Sequence, residues 1–355
     1  MNDGQDPPER PAGRPAPAPG RPVRTPGRPV RAFVLGGGGA LGAHEVGMLK
    51  ALLEAGLRPD LVVGTSVGAI NGVMVAADPR AAAIERLADL WSGLGRAGVF
   101  SGSLLERLGT AVRSGTHLHT AGPLRALLET HVPAGRLEDL TVPFQCVASS
   151  IERAAEHWFT EGPLADAVLA SCAVPGLLPP VRVGEEHFLD GGLVNSIPVG
   201  RAVDLGAREI YVLQVGRVES PLSPPRLPWQ VATVAFEIAR RHRFARDMAG
   251  LPPEVTVHVL PSGAPAGEPG GALRQLRYKT FGRTAERIER AYTASCRYLD
   301  GLHDGDQPPG DGPRGDEARG DEARGGEVHG DEVHGDGPSR GGGLPGGGLP
   351  GGGVR

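Results

Sequence analysis

Gly64-Thr65-Ser66-Val67-Gly68 follows the apolar run Leu61-Val62-Val63 and leads into small, helix-compatible residues from Val67 to Ala76. This pattern reads as a strand, a sharp turn and a helix, with a serine at the apex of the turn. Glycines flank the serine because such a turn is strained and the neighbouring backbone comes too close for side chains. The hydroxyl then sits at a helix N-terminus, where backbone N–H groups and the helix dipole favour developing negative charge. Ser66 is therefore a candidate nucleophile. Taken alone, the pentapeptide fits a tight glycine-rich turn with an incidental serine equally well.

Upstream, Gly36-Gly37-Gly38-Gly39-Ala40-Leu41-Gly42 follows a buried strand, Arg31 to Leu35, and opens a helix from Ala43 to Ala55. Its backbone N–H groups carry no obstructing side chains and can converge on an anion. Gly37, Gly39 and Gly42 match the G-x-G-x-x-G spacing of a dinucleotide site, which also wants an acid closing the second strand to hold a ribose. Here Asp60 precedes that strand, and the strand ends in Gly64 and Ser66. The favoured reading is an oxyanion hole for acyl transfer at Ser66, built from the N–H groups around Gly37, Gly38 and Gly39.

Ser66 needs a proton acceptor. The usual partner is a histidine held by a carboxylate, yet none of the eleven histidines follows a late strand in a suitable loop. His258 lies within a strand pattern, His242 on a basic helix face, and His303, His329 and His334 in or beside the C-terminal tail. A carboxylate acting alone is the other possibility. Asp190 ends a short strand, His187 to Leu189, and precedes Gly191 and Gly192, which let the backbone turn and another loop approach.

Together these elements resemble the patatin-like phospholipase family from about Arg31 to Ala207. The resemblance rests on the loop Gly37–Gly42, the elbow Gly64–Gly68 with Ala69-Ile70-Asn71-Gly72, the segment Ala170-Ser171-Cys172-Ala173-Val174-Pro175-Gly176, and Asp190-Gly191-Gly192-Leu193-Val194-Asn195-Ser196-Ile197-Pro198. It implies a three-layer α/β/α fold and a Ser66–Asp190 dyad, with Asp190 as proton acceptor. It also implies cleavage of acyl esters of lipids without metal or cofactor. Acyl transfer to another acceptor, or a non-catalytic lipid-binding or scaffold protein on the same fold, are the alternatives. Many members carry Arg or Lys where this chain has Leu41. A cation there would sit near the oxyanion or a lipid phosphate, so its absence leads to the expectation of a neutral ester substrate.

Composition bounds the rest. Residues 1–28 are dominated by Pro, Arg, Gly and Ala, and the chain from Asp304 onward runs through GDEAR and GGGLP repeats. Such segments bury too little apolar surface to offset chain entropy and are expected to be disordered. A folded domain of residues 29–303 remains. The overall charge of −4 divides into +2 for residues 1–30 and −6 for residues 304–355, which leaves the part between them neutral. That balance argues against a nucleic-acid partner; transient contact with a membrane surface stays compatible. Cys146, Cys172 and Cys296 are widely spaced, with no CxxC pair, so neither a disulfide framework nor a zinc site is expected. Cys172 reads as a small core residue. No secretory signal or bilayer-spanning run is read, and a cytoplasmic location is expected. Further strands are read at Phe144–Ser149, Glu209–Val215 and Val255–Leu260. Helices are read at Ala81–Leu94, Pro123–His131, Leu164–Cys172, Pro228–Met248 and Thr284–Tyr298. This alternation implies a mostly parallel sheet covered on both faces.

Overall fold

A computed structural model describes residues 30–96, 119–132, 134–215, 222–225, 228–263 and 283–305. Among them, one sheet is formed by β1 (Arg31–Leu35), β2 (Leu61–Thr65), β3 (Phe144–Ser150), β4 (Ala155–Phe159), β5 (Val181–Val183), β6 (Glu186–Asp190), β7 (Glu209–Leu213) and β8 (Thr256–Val259). The helices are α1 (Ala43–Glu54), α2 (Val67–Ala77), α3 (Ala81–Arg96), α4 (Gly122–His131), α5 (Leu164–Ser171), α6 (Val199–Asp204), α7 (Pro228–Ala249) and α8 (Thr284–Gly305).

The strand order is β5-β6-β3-β2-β1-β7-β8, with β4 also paired to β3. β3, β2, β1, β7 and β8 run parallel. β2 and β3 are buried along their whole length, as strands covered on both faces must be. Alternate residues feed two cores. Phe33, Leu35 and Val62 pack with α1 and α2 on one face. Ala32, Val34, Leu61 and Val63 pack with Val199, Ala202 and Phe244 of α6 and α7 on the other. This is the expected three-layer α/β/α arrangement.

One edge departs from the parallel pattern. β4 and β6 pair antiparallel with β3, and β5 pairs antiparallel with β6. For β3–β4 and β5–β6 the cause is connection length, because a parallel crossover needs a dozen or more residues. Residues 151–154 join β3 directly to β4. Gly184 at φ +62° and Glu185 turn β5 into β6.

Register positions the site. Leu35 lies opposite both Gly64 and Leu213, so the glycine loop and the serine turn leave the sheet side by side. Val147 pairs with Thr65, and Ala148 pairs with Asp190. β3 thus carries the acid to the serine. The segments expected to be disordered lie outside the described residues, except that α8 continues to Gly305.

Candidate active site

Ser66 adopts φ 55° and ψ −124°, left-handed backbone that an L residue enters only under strain. The turn is tight enough to exclude side chains at its flanks. A Cβ on Gly68 would collide with the Leu35 carbonyl, and one on Gly64 would approach the Gly68 carbonyl at 2.6 Å. Two side chains at the end of α5 hold the strained residue. Ser171 Oγ accepts the Ser66 N–H at 2.9 Å, and the Cys172 thiol donates to the Ser66 carbonyl at 3.1 Å. Burial pushes the Cys172 thiol well above its ordinary pKa, which keeps it protonated as a donor. The sequence had placed Cys172 in the core, as it is, but its contact with Ser66 and that of Ser171 have no signal in residue spacing.

The Ser66 hydroxyl donates to Asp190 Oδ2 at 2.6 Å. The other carboxylate oxygen accepts the Gly192 N–H at 2.7 Å. The Asp190 backbone is fixed by its N–H to the Ala173 carbonyl at 2.9 Å and by Ser149 Oγ, which donates to its carbonyl at 2.8 Å. Asp190 is 3% exposed. Burial raises its pKa to about 6, against the opposing effect of the Ser66 and Gly192 hydrogen bonds. That value suits a base working near neutrality. Gly191 packs where a Cβ would strike the Val147 carbonyl, and Gly192 faces Phe236 of α7.

Neither His258 nor His242 is placed for this role. His258 is half-buried on β8, stacked on Tyr211 with ring centroids 4.8 Å apart, and its Nδ1 faces the Tyr298 hydroxyl at 3.4 Å. His242 is exposed on α7.

The glycine loop corrects one expectation. Gly37, read as an oxyanion donor, gives its N–H to the Ser196 carbonyl at 2.9 Å. Gly36 likewise donates to the Leu213 carbonyl at 2.9 Å. Gly38 is the N-cap of a 3-10 turn, Gly39–Gly42, and Gly39 begins it. Their N–H groups have no intrahelical acceptor, so Gly38 and Gly39 remain as the candidate donors.

Four of the loop carbonyls, by contrast, are occupied. Gly38 O accepts the Leu41 N–H at 3.2 Å, Ala40 O accepts from Arg287 Nη1 at 3.3 Å, and Gly42 O accepts from Asn71 Nδ2 at 3.0 Å. The Leu41 carbonyl lies 2.8 Å from His44 Nδ1. Asn71 also donates to Glu45 Oε2 at 2.7 Å and accepts from Trp91 Nε1 at 2.9 Å. Burial raises the Glu45 pKa well above its ordinary value, against the opposing effect of the Asn71 hydrogen bond. Gly42 sits where a Cβ would press on Val67 and Trp91.

Comparison with known proteins finds similar chains. Residues 33–203 match the family model described as patatin-like phospholipase. Lysophospholipase nte1 of Aspergillus terreus is 34% identical over 190 residues, which are 52% of this chain and 12% of that protein. Patatin-like phospholipase domain-containing protein ZK370.4 of Caenorhabditis elegans is 33% identical over 190 residues, 52% of this chain and 14% of that protein. The chain thus spans about an eighth of the length of these curated relatives. VipD from Legionella pneumophila, at 16% identity and a TM-score of 0.35, covers 77% of this chain and 67% of its own. Over residues 33–203 the chain is thus similar to patatin-like phospholipases.

Proposed function

We propose that this protein is a serine hydrolase that cleaves carboxylic esters of lipids through a Ser66–Asp190 dyad. The observation that carries the reading is the 2.6 Å hydrogen bond from Ser66 Oγ to Asp190 Oδ2 at a strained, glycine-flanked turn. In the first step Ser66 Oγ attacks the ester carbonyl carbon while Asp190 takes its proton. The N–H groups of Gly38 and Gly39 stabilise the resulting oxyanion. Such donors are worth about 3–4 kcal/mol each where deletion has been measured. Collapse expels the alcohol, which leaves with the proton from Asp190, and an acyl ester remains on Ser66. Asp190 then takes a proton from water, and the hydroxide attacks that ester. The proton returns to Ser66 as the fatty acid departs.

The relatives, named as a lysophospholipase and a patatin-like phospholipase domain-containing protein, support a lipid ester substrate. Leu41 supplies no charge toward a lipid phosphate, which favours a neutral ester. The described residues hold no helix long and apolar enough to cross a membrane, and a lipid substrate is met by transient contact with a membrane surface. Three free cysteines accord with a reducing, cytoplasmic compartment. A hydrolysis panel of neutral glycerides, phospholipids, lysophospholipids and short p-nitrophenyl esters tests the reading. Turnover that vanishes in Ser66→Ala supports it, and turnover that persists in that variant overturns it.

A further inference from the structure

We infer that Arg287, on the C-terminal helix α8 and outside the family-matched segment, positions the oxyanion loop for catalysis. The inference rests on the hydrolase reading above. Arg287 is 8% exposed and lies 247 residues from the loop in sequence, yet its Nη1 donates to the Ala40 carbonyl at 3.3 Å. A guanidinium this buried needs well-placed acceptors, since desolvating its charge is costly. Its bond to a carbonyl is charge-assisted and stronger than a neutral one.

The contact is built into the way α8 packs. A Cβ on Gly47 of α1 would collide with the backbone carbonyl of Ile288, so the two helices touch backbone to backbone one residue after Arg287. Further along, the Tyr292 hydroxyl donates to Glu54 Oε2 at 2.6 Å, and Lys50 Nζ lies 3.9 Å from the centre of the Tyr292 ring. These contacts fix α8 against α1, and α1 starts where the loop ends.

A peptide unit is a rigid plane, so holding the Ala40 carbonyl sets the Leu41 N–H, which donates to the Gly38 carbonyl at 3.2 Å, and that carbonyl shares its plane with the Gly39 N–H. The Gly38, Leu41 and Gly42 carbonyls are engaged by groups from the loop itself, α1 or α2. The Ala40 carbonyl alone among these four is shown engaged by a side chain from beyond residue 203. It lies in the 3-10 turn whose first N–H groups, on Gly38 and Gly39, are the candidate oxyanion donors. Arg287 is therefore a positioning residue, acting through the loop rather than on substrate.

The test compares full-length wild type with Arg287→Met, Arg287→Lys and Tyr292→Phe. Tyr292→Phe loosens α8 packing without touching the loop. Two readouts are taken at a temperature where all are folded: kcat and KM on a p-nitrophenyl ester, and the second-order rate of inactivation by an organophosphonate. A misplaced hole affects transition-state stabilisation more than ground-state binding. Arg287→Met is expected to lower kcat and the inactivation rate by about 10- to 100-fold with KM within about twofold. Arg287→Lys is expected to recover most of the loss, and Tyr292→Phe to stay near wild type. If Arg287→Met keeps wild-type kcat, or loses no more than Tyr292→Phe, the inference is overturned while the hydrolase reading stands. Should Arg287→Met not fold, an Arg287→Lys variant no better than Arg287→Ala in kcat overturns it too. A wild type that neither turns over nor reacts with phosphonate overturns the hydrolase reading itself, and this inference with it.

Discussion

Ser171 Oγ accepts the backbone N–H of Ser66 at 2.9 Å, so the end of α5 holds the strained apex of the serine turn. Ser171 is fully buried. Ser171→Ala leaves the Ser66 N–H without a partner, which costs about 1–3 kcal/mol for a buried donor. We expect chemical denaturation to show a loss of that size and kcat to fall as the nucleophile loses its fixed direction. Unchanged stability and kcat together would show that the turn holds itself.

The pH dependence of activity and of stability should run in opposite directions through Asp190. Its carboxyl must be ionised to take the Ser66 proton, so kcat/KM should rise with pH and level off above about 6. The native pKa of about 6 exceeds the ordinary 3.8, so the native state holds this proton more tightly than the unfolded chain. The stability this group contributes is present below the unfolded value and lost as pH rises to about 6. Two units correspond to about 3 kcal/mol. Asp190→Asn cannot ionise, so it should be inactive yet melt above wild type at pH 8. An Asp190→Asn protein less stable than wild type at that pH would contradict the assigned shift.

Histidine substitutions should leave chemistry alone. His258→Ala removes the stack on Tyr211 and the contact with Tyr298, and it should lower the melting temperature modestly with kcat within about twofold. His242→Ala is exposed and should change neither. A large loss of kcat in either natively folded variant would replace the dyad by a triad.

The elbow, the acid and the layer order were legible because each is a local signal. Gly64–Gly68 sits between an apolar strand and a helix of small residues, and Asp190 precedes two glycines at a strand end. What the sequence hid is what depends on distant partners. β4, AEHWF, is largely half-exposed and carries charged residues, and β5 has three residues, so neither shows clean alternation. The donor set of the glycine loop was misread at Gly37 because its N–H is taken by Ser196, which lies far away in sequence. Arg287 reaches the loop only through the close crossing at Gly47, for which spacing offers no cue.

Substrate charge can be tested at Leu41. This side chain lies in the glycine loop without a charge of its own, so wild type should favour a neutral glyceride over a matched anionic phospholipid. Leu41→Arg should raise the phospholipid-to-glyceride ratio of kcat/KM. A charge-assisted bond to phosphate is worth roughly 1.5–3 kcal/mol in favourable cases. Melting curves must first show that the longer side chain is tolerated beside α1. A wild type already faster on phospholipid would mean that another cation serves the head group.

The central claim, that Ser66 is a nucleophile activated by Asp190, is tested most directly by reacting the protein with a fluorophosphonate and locating the adduct by peptide mass spectrometry. The account predicts one adduct, on Ser66, formed rapidly by wild type and at least about a hundredfold more slowly by Asp190→Asn, on the scale of losing a positioned general base. An adduct on another residue, none at all, or equal labelling of natively folded Asp190→Asn would contradict it.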